Sequence, residues 1–481
     1  MFISIIIIVS CFLIVVFLIV TERLNRAIAA LAGAIITYFV LIFIEGYDFL
    51  IIVELLFSTQ SEGFVNLHSL ILILAMMMIV AISNEAGTFQ FISITLIKLS
   101  KGRPVILLTI LCSLTVLLSS LLNNILTVII LIPLTITISR ILNIDPSPYV
   151  LTQAVLVNIG GTVFSISSIP NILIATYAGI SFIDFFINIG TISLIIFIFT
   201  LIFFILLYKK ELKIPQEGVQ VLREFNVWNF IQNKKLLYES VSALIIVLLL
   251  FMIIPTSFIT PDIIALFVAI ILILVSRIDP KVMFSKIDFE LLVYLLGVFV
   301  LAGSFEILGI ADFLGAVLFN IGGGNLLIQL IVILWISSFL SSAIDNIPIT
   351  KVLIPIIDTI PYGGSLLYRN QAFYSLAIGA NWGDNLTPLG DNILVVNLAE
   401  QNKRPISFRQ FFKIGFVTTV FQLAITTIII IILFDLFMGI VIILVIFLFL
   451  MSFYLLYSFS PKHMKIKLEK TINKIKMIII K

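Results

Sequence analysis

Ser119-Ser120-Leu121-Leu122-Asn123-Asn124-Ile125-Leu126-Thr127-Val128-Ile129-Ile130-Leu131-Ile132-Pro133 returns 222 positions later as Ser341-Ser342-Ala343-Ile344-Asp345-Asn346-Ile347-Pro348-Ile349-Thr350-Lys351-Val352-Leu353-Ile354-Pro355. Seven of the fifteen positions are identical. Isoleucine and leucine matches are cheap in so apolar a chain; the Ser-Ser, Asn and Pro matches are not. The same offset pairs Gly161 with Gly383, so the repeat extends from an apolar segment with a polar tip into the interrupted segment that follows it.

The surrounding composition says what kind of chain carries this repeat. Of 481 residues, 61% are hydrophobic, 42 are Phe, and only 11% are charged. A soluble domain has about half apolar and a quarter charged residues, so this chain exceeds what one aqueous core can bury. A polytopic membrane protein is expected, and soluble enzymes, nucleic-acid binders and secreted disulfide scaffolds are set aside. The apolar run Phe2–Val20 lacks a basic leader and a small-residue cleavage site, and reads as a retained span. Cys11 and Cys112 lie in separate apolar runs, and His68 and His463 form no cluster, so disulfide, zinc and haem chemistry lack ligands. No cofactor is expected.

Charge placement supplies the topology. All but two of the 28 Lys and Arg fall in alternate loops or the tail: Arg23 and Arg26; Lys98 to Arg103; Arg140; Lys209 to Lys235; Arg277 to Lys286; Lys403 to Lys413; Lys462 to Lys481. Cytoplasmic loops collect basic residues, which places the N-terminus outside and the C-terminus inside. Arg103 and Arg140 then share a side, so 104–139 reads as a re-entrant hairpin, although two full spans also fit. The stretch 326–357 repeats the layout from the other side. Non-helical backbone at membrane depth survives only when buried in protein or lining a wet cavity.

The expected fold is all-α, with about 11 transmembrane helices and two re-entrant hairpins in two inverted-topology repeats. Residues 1–208 form the first repeat with an extra N-terminal span, hairpin 104–139 and broken helix 150–178. A cytoplasmic linker covers 209–235. Residues 236–435 form the second repeat, with hairpin 326–357 and broken helix 371–400. A last span, 436–458, and a basic cytoplasmic tail, 459–481, complete the chain; the tail is expected along the anionic leaflet. After the span 67–83 an interfacial helix ending at Lys101 is expected. Inverted repeats with broken helices meeting near the midplane are a recurrent plan of secondary transporters; a passive channel is the competing class.

The hairpin tips offer Asn123, Asn124 and Thr127, and Asp345, Asn346, Thr350 and Lys351. Asn and Asp cap helix starts, the amides there favour an anion, and the side-chain oxygens suit a small cation. Capping alone also explains these residues. The first break offers Asn158, Gly160, Gly161, Thr162, Ser165 and Asn171. The second offers Asn381, Gly383, Asp384, Asn385, Thr387, Gly390, Asp391 and Asn392. Gly, Pro and small polar residues inside a span unwind it and free backbone groups for a substrate. Acids such as Asp345, Asp384 and Asp391 are costly at depth and usually serve ion paths. Lys351, off the face of Asp345, is expected to neutralise Asp384 or Asp391, alternate with a transported ion, or sit in a wet vestibule. Glu85 and Glu306 are expected to cap or pair near the interface.

The tips Leu122-Asn123-Asn124 and Ile344-Asp345-Asn346-Ile347-Pro348, with the breaks Asn158-Ile159-Gly160-Gly161 and Gly379-Ala380-Asn381…Thr387-Pro388-Leu389-Gly390, resemble the ion transporter superfamily. They are most similar to its arsenite permease and sodium/proton antiporter branch, which includes the P protein and is related to citrate and dicarboxylate carriers. The resemblance covers about residues 20–435. It implies a scaffold and a transport domain in each half, tips and breaks forming the site, frequent homodimers, and elevator-type movement. The expected function is secondary transport of an inorganic or small carboxylate anion with H+ or Na+, in the plasma membrane of a prokaryote; a sodium/proton antiporter is the alternative. No GxxxxGK[ST] loop occurs, which leaves a separate ATPase subunit open as a partner.

Overall fold

A computed structural model describes residues 1–21, 23–101, 103–212, 231, 233–388, 392–459 and 471. The greater part of the linker 209–235, the tail beyond Phe459, and Gly390 and Asp391 lie outside the described residues. Among the described residues the regular elements are all helical, and ten helices are long and apolar enough to cross a membrane. Three of the ten are hairpin arms, Pro104–Leu121, Asn124–Ile141 and Leu326–Ala343. The expected spans 262–276 and 436–458 are the helices Pro261–Ser276 and Leu436–Phe459.

Local chemistry sets the boundaries. Pro104 and Pro261 stand in the first turn of their helices, where a missing N–H costs nothing. Asn25, Asn123, Asn233, Asn325 and Asp288 accept backbone N–H groups at their helix starts. Each hairpin is two helices parted by a short extended tip. In the first, Pro104–Leu121 gives way at Leu122 and Asn123 to Asn124–Ile141; in the second, Leu326–Ala343 gives way at Ile344 and Asp345 to Asn346–Asp358. Pro133 and Pro355 lie inside the second arms, where each removes one helix hydrogen bond.

The repeat reaches further than the sequence comparison. Helix Val65–Glu85 ends against Gly87, whose φ of +72° starts helix Thr88–Lys98. Helix Phe289–Ile307 ends against Gly309, whose φ of +71° starts helix Ile310–Ile321. Gly87 and Gly309 are again 222 residues apart. The second of these short helices was not anticipated, nor were Ile51–Phe57 and Pro280–Phe284.

The halves exchange neighbours. Helix Arg26–Phe39 packs on Phe289–Ile307, while Pro261–Ser276 packs on Val65–Glu85. Polar pairs pin both crossings near helix starts. Arg26 reaches Asp288 at 3.1 Å and Glu290 at 3.4 Å, and His68 Nδ1 lies 2.8 Å from Asp262 Oδ2. Glu85 pairs with Lys286 near the surface, as expected.

Candidate functional site

Both breaks are real interruptions. Helix Ser147–Gly160 stops at Gly161, and the chain resumes as Ile169–Ala178. Helix Leu366–Gly383 runs into a short 3-10 turn, Asp384–Leu386, and resumes at Asn392. The first-arm serines of the hairpins hold the two breaks alike. Ser119 Oγ donates to the carbonyl of Val157 at 2.5 Å, and Ser341 Oγ donates to that of Ala380 at 2.6 Å.

Close approach explains the glycines. A Cβ on Gly160 would stand 2.7 Å from the Val116 carbonyl oxygen, and one on Gly383 would stand 2.2 Å from that of Ser338. Val116 and Ser338 are 222 apart, whereas Gly160 and Gly383 are 223 apart. The pairing of Gly161 with Gly383 is therefore corrected: Gly160 is the structural partner, and the register slips by one between hairpin and break. Gly161 has a different duty. A Cβ there would stand 2.7 Å from Asn124 Oδ1, so glycine lets the tip side chain reach the break.

A chain of carboxamides joins these parts. Asn124 Oδ1 lies 3.0 Å from Ser119 Oγ, and its Nδ2 donates to Asn158 Oδ1 at 2.6 Å. Asn158 donates to Asn385 Oδ1 at 2.8 Å, and Asn385 donates to the Val155 carbonyl at 2.9 Å. A second strand of contacts runs from Asn381, which donates to Asn171 Oδ1, to Asn171, which donates to the Gly161 carbonyl. Trp382 Nε1 donates to Thr162 Oγ1 at 2.9 Å. Asn158, Asn171, Asn381 and Asn385 are fully buried. Burying amides is tolerable only when they are hydrogen-bonded, and here, apart from Asn381 Oδ1, their side-chain groups find partners across and within the two breaks.

At the second tip, Asn346 Nδ2 lies 3.4 Å from Asp384 Oδ2, and Asn392 donates to the Asp384 carbonyl oxygen at 2.7 Å. The buried Oδ1 atoms of Asn381 and Asn392 have no hydrogen-bond partner among the described residues. Asp384 is buried, at 3% exposed. Thr387 Oγ1 donates to the Ser342 carbonyl, tying the turn back to the hairpin.

Cavities adjoin this core. One of about 220 Å³ is lined by Asn123, Ser167, Ser168, Asn84 and Lys286. Another of about 470 Å³ holds Ser165, Tyr177, His68 and Asp262. Ile166 and Ile172 of the first break line both. Asp345 lines a third, of about 490 Å³, with Arg26 and Glu290, and its carboxylate lies 3.3 Å from the Tyr294 hydroxyl.

Some expected residues do other work. Thr127 and Thr350 hydroxyls bond the carbonyls of Asn123 and Asn346 one turn back. Asn123 accepts from the Leu126 N–H, a capping bond. Lys351 is not beside Asp384: its Nζ donates to Asn66 Oδ1 at 2.6 Å and lies 5.0 Å from the Phe299 ring centroid. Its helix carries it away from the tip face, as the 240° rotation from Asp345 requires. Glu306 lines a cavity with Lys351. Ser119, Ser341 and Trp382 were not singled out, although the duplicated Ser-Ser pair was the available signal for the serines.

A family model described as "Citrate transporter", CitMHS, matches residues 16–379. The chain belongs to the CitMHS citrate transporter family. Among relatives of this CitMHS protein, the "46 kDa membrane protein" of Mycobacterium leprae is 28% identical over 419 residues, 86% of this chain and 96% of the relative. An "Uncharacterized transporter" of Mycobacterium tuberculosis is 27% identical over 414 residues, 85% of this chain and 94% of the relative. The P protein of Homo sapiens is 26% identical over 483 residues, 83% of this chain and 56% of the P protein. The chain is a multi-pass integral membrane transporter, not an enzyme.

Proposed function

We propose that this CitMHS protein is a secondary active transporter that moves a small carboxylate anion of the citrate type, coupled to H+ or Na+, by alternating access. The supporting observation is the pair of cavities on the first break. They share Ile166 and Ile172, while Ser167 and Ser168 line one and Ser165 the other. A wall shared by two cavities is what a carrier must open first on one side and then on the other. Buried amides at the helix starts suit a carboxylate, and the buried Asp384 carboxylate suits the cation that travels with or against it. By the charge pattern, the cavity containing Lys286 faces the cytoplasm.

Proteoliposomes loaded with unlabelled citrate should accumulate labelled citrate by counterflow, and Asn158→Ala should abolish it. Conductance without counterflow would overturn the carrier reading. The buried acid Asp384 also favours a sodium/proton antiporter as the second reading. In that case 22Na+ uptake driven by a pH gradient, with no citrate present, is expected in the wild type and lost in Asp384→Asn.

A further inference from the structure

A fourth cavity, of about 190 Å³, lies away from the tips and brings together charged groups from separate elements. Lys351, on the second arm of the second hairpin, is 9% exposed. Glu306 comes from helix Phe289–Ile307, Glu54 from helix Ile51–Phe57, and Glu62 from the loop that follows it. Phe299, Ala302, Gly303 and Glu306 form one stripe at helical spacing, so the cation–π face under Lys351 and the carboxylate share a helix side.

Asn66 holds the lysine. Its Nδ2 is spent on the Leu55 carbonyl at 3.0 Å, which turns its Oδ1 toward Lys351 Nζ. One proton of the ammonium is thus bound to a neutral acceptor, and the rest of the amine faces the acidic cavity. The arrangement is one-sided. The residue matching Lys351 in the first half is Ile129, which is 46% exposed, so the repeat supplies no structural reason for a charge here. A buried lysine whose partner carboxylate stays accessible is an arrangement that can change protonation with the conformational cycle.

We propose that Lys351 and Glu306 form the proton-coupling site of the transporter, separate from the carboxamide site at the tips. This rests on the carrier reading above. A proton entering from the side of Glu62 passes by way of the Glu306 carboxylate to the neutral Lys351 amine and forms the ammonium–carboxylate pair, and its departure on the opposite side returns the neutral amine. The other titratable or charged groups around the two residues are Glu54, Glu62 and Tyr177 in the cavity wall, and Asp312 beyond Glu306. Asp358, on the lysine's own helix, is occupied by Arg369 at 2.5 Å and by the Tyr177 hydroxyl at 3.1 Å. His68, which lines the neighbouring cavity with Glu62, is engaged with Asp262.

The test uses the full chain in proteoliposomes containing pyranine, with Glu306→Gln, Lys351→Gln and the charge-keeping Lys351→Arg. Citrate counterflow at equal pH reports carriage alone; citrate accumulation and internal acidification under an imposed pH gradient report coupling. Expected are counterflow close to wild type in all three, and gradient-driven accumulation reduced by about tenfold in Glu306→Gln and Lys351→Gln. Lys351→Arg is expected to keep counterflow and lose the pH dependence of accumulation, because a guanidinium does not deprotonate. Unchanged gradient-driven accumulation in both glutamine variants overturns the proposal, as does loss of counterflow together with coupling in all three. If the wild type shows no citrate counterflow, the carboxylate reading fails instead. The proton site is then decided by pyranine acidification under a Na+ gradient, which Glu306→Gln must abolish.

Discussion

Asn158 donates a hydrogen bond of 2.8 Å to Asn385, joining residues 227 positions apart across the seam between the two breaks. Asn158 also accepts from Asn124, so one side chain connects a hairpin tip, its own break and the opposite break. Removing it leaves the Asn124 amide and the Asn385 carbonyl oxygen buried without partners, at about 1–3 kcal/mol each. Asn158→Ala is therefore expected to lower the melting temperature of the purified protein in detergent as well as to stop transport. Asn158→Gln, which keeps the groups but misplaces them, should recover stability better than activity.

Gly160 and Gly383 are predicted to tolerate nothing larger than hydrogen. The obstacle in each case is main chain of the neighbouring hairpin arm, which cannot swing away as a side-chain end would. Overpacking of this kind costs about 1–3 kcal/mol, and more where the backbone must shift. Gly383→Ala, with the shorter approach, should be the worse of the two, as judged by the fraction recovered as a single peak in size-exclusion chromatography.

Gly87 and Gly309 make the opposite case. Nothing lies within 4 Å of a Cβ on Gly309, so an alanine there meets only the left-handed backbone, a conformation that Gly87 shares. A penalty of about 1–2 kcal/mol is expected for each. The two single variants should shift thermal melting equally, and the double variant by their sum, since distant sites add. Unequal shifts would count against the two glycines being equivalent turns.

Glu85 and Lys286 are each well exposed, at 40% and 38%. Exposed ion pairs contribute about 0–1 kcal/mol. Glu85→Gln should leave melting within about 1 kcal/mol of wild type, with any difference vanishing in high salt. A large loss would mean that the pair fixes a helix end rather than decorating it.

The helices, both hairpins and both breaks were legible because each leaves a composition signal: long apolar runs, paired polar tips, and Gly and Asn clusters inside spans. The one-residue slip between Gly160 and Gly383 was not, because Gly160-Gly161 offers two candidates and only the approach to Val116 separates them. Helix Ile310–Ile321 was missed although its twin Thr88–Lys98 was foreseen, since Lys98 and Lys101 mark the end of the first and no basic residue marks the second. The destination of Lys351 was out of reach for a different reason. Helical geometry says that it leaves the face of Asp345, but Asn66 is 285 residues away, and no local pattern points to it.

The bonds between the two breaks also restrict how the molecule can move. Pulling one break from the other would sever Asn158–Asn385, Asn381–Asn171 and Trp382–Thr162 together, leaving amides stranded in an apolar interior. Helix Val65–Glu85 against Ile169–Ala178 is a different kind of contact, with apolar Ile73, Met76 and Met77 beside Ile169 and Ile172 along the shared cavity. Greasy surfaces can slide by exchanging one neighbour for another; interlocked amides cannot. In the alternating-access reading proposed above, the knitted centre would travel as a single piston, with its sliding boundary at the rim.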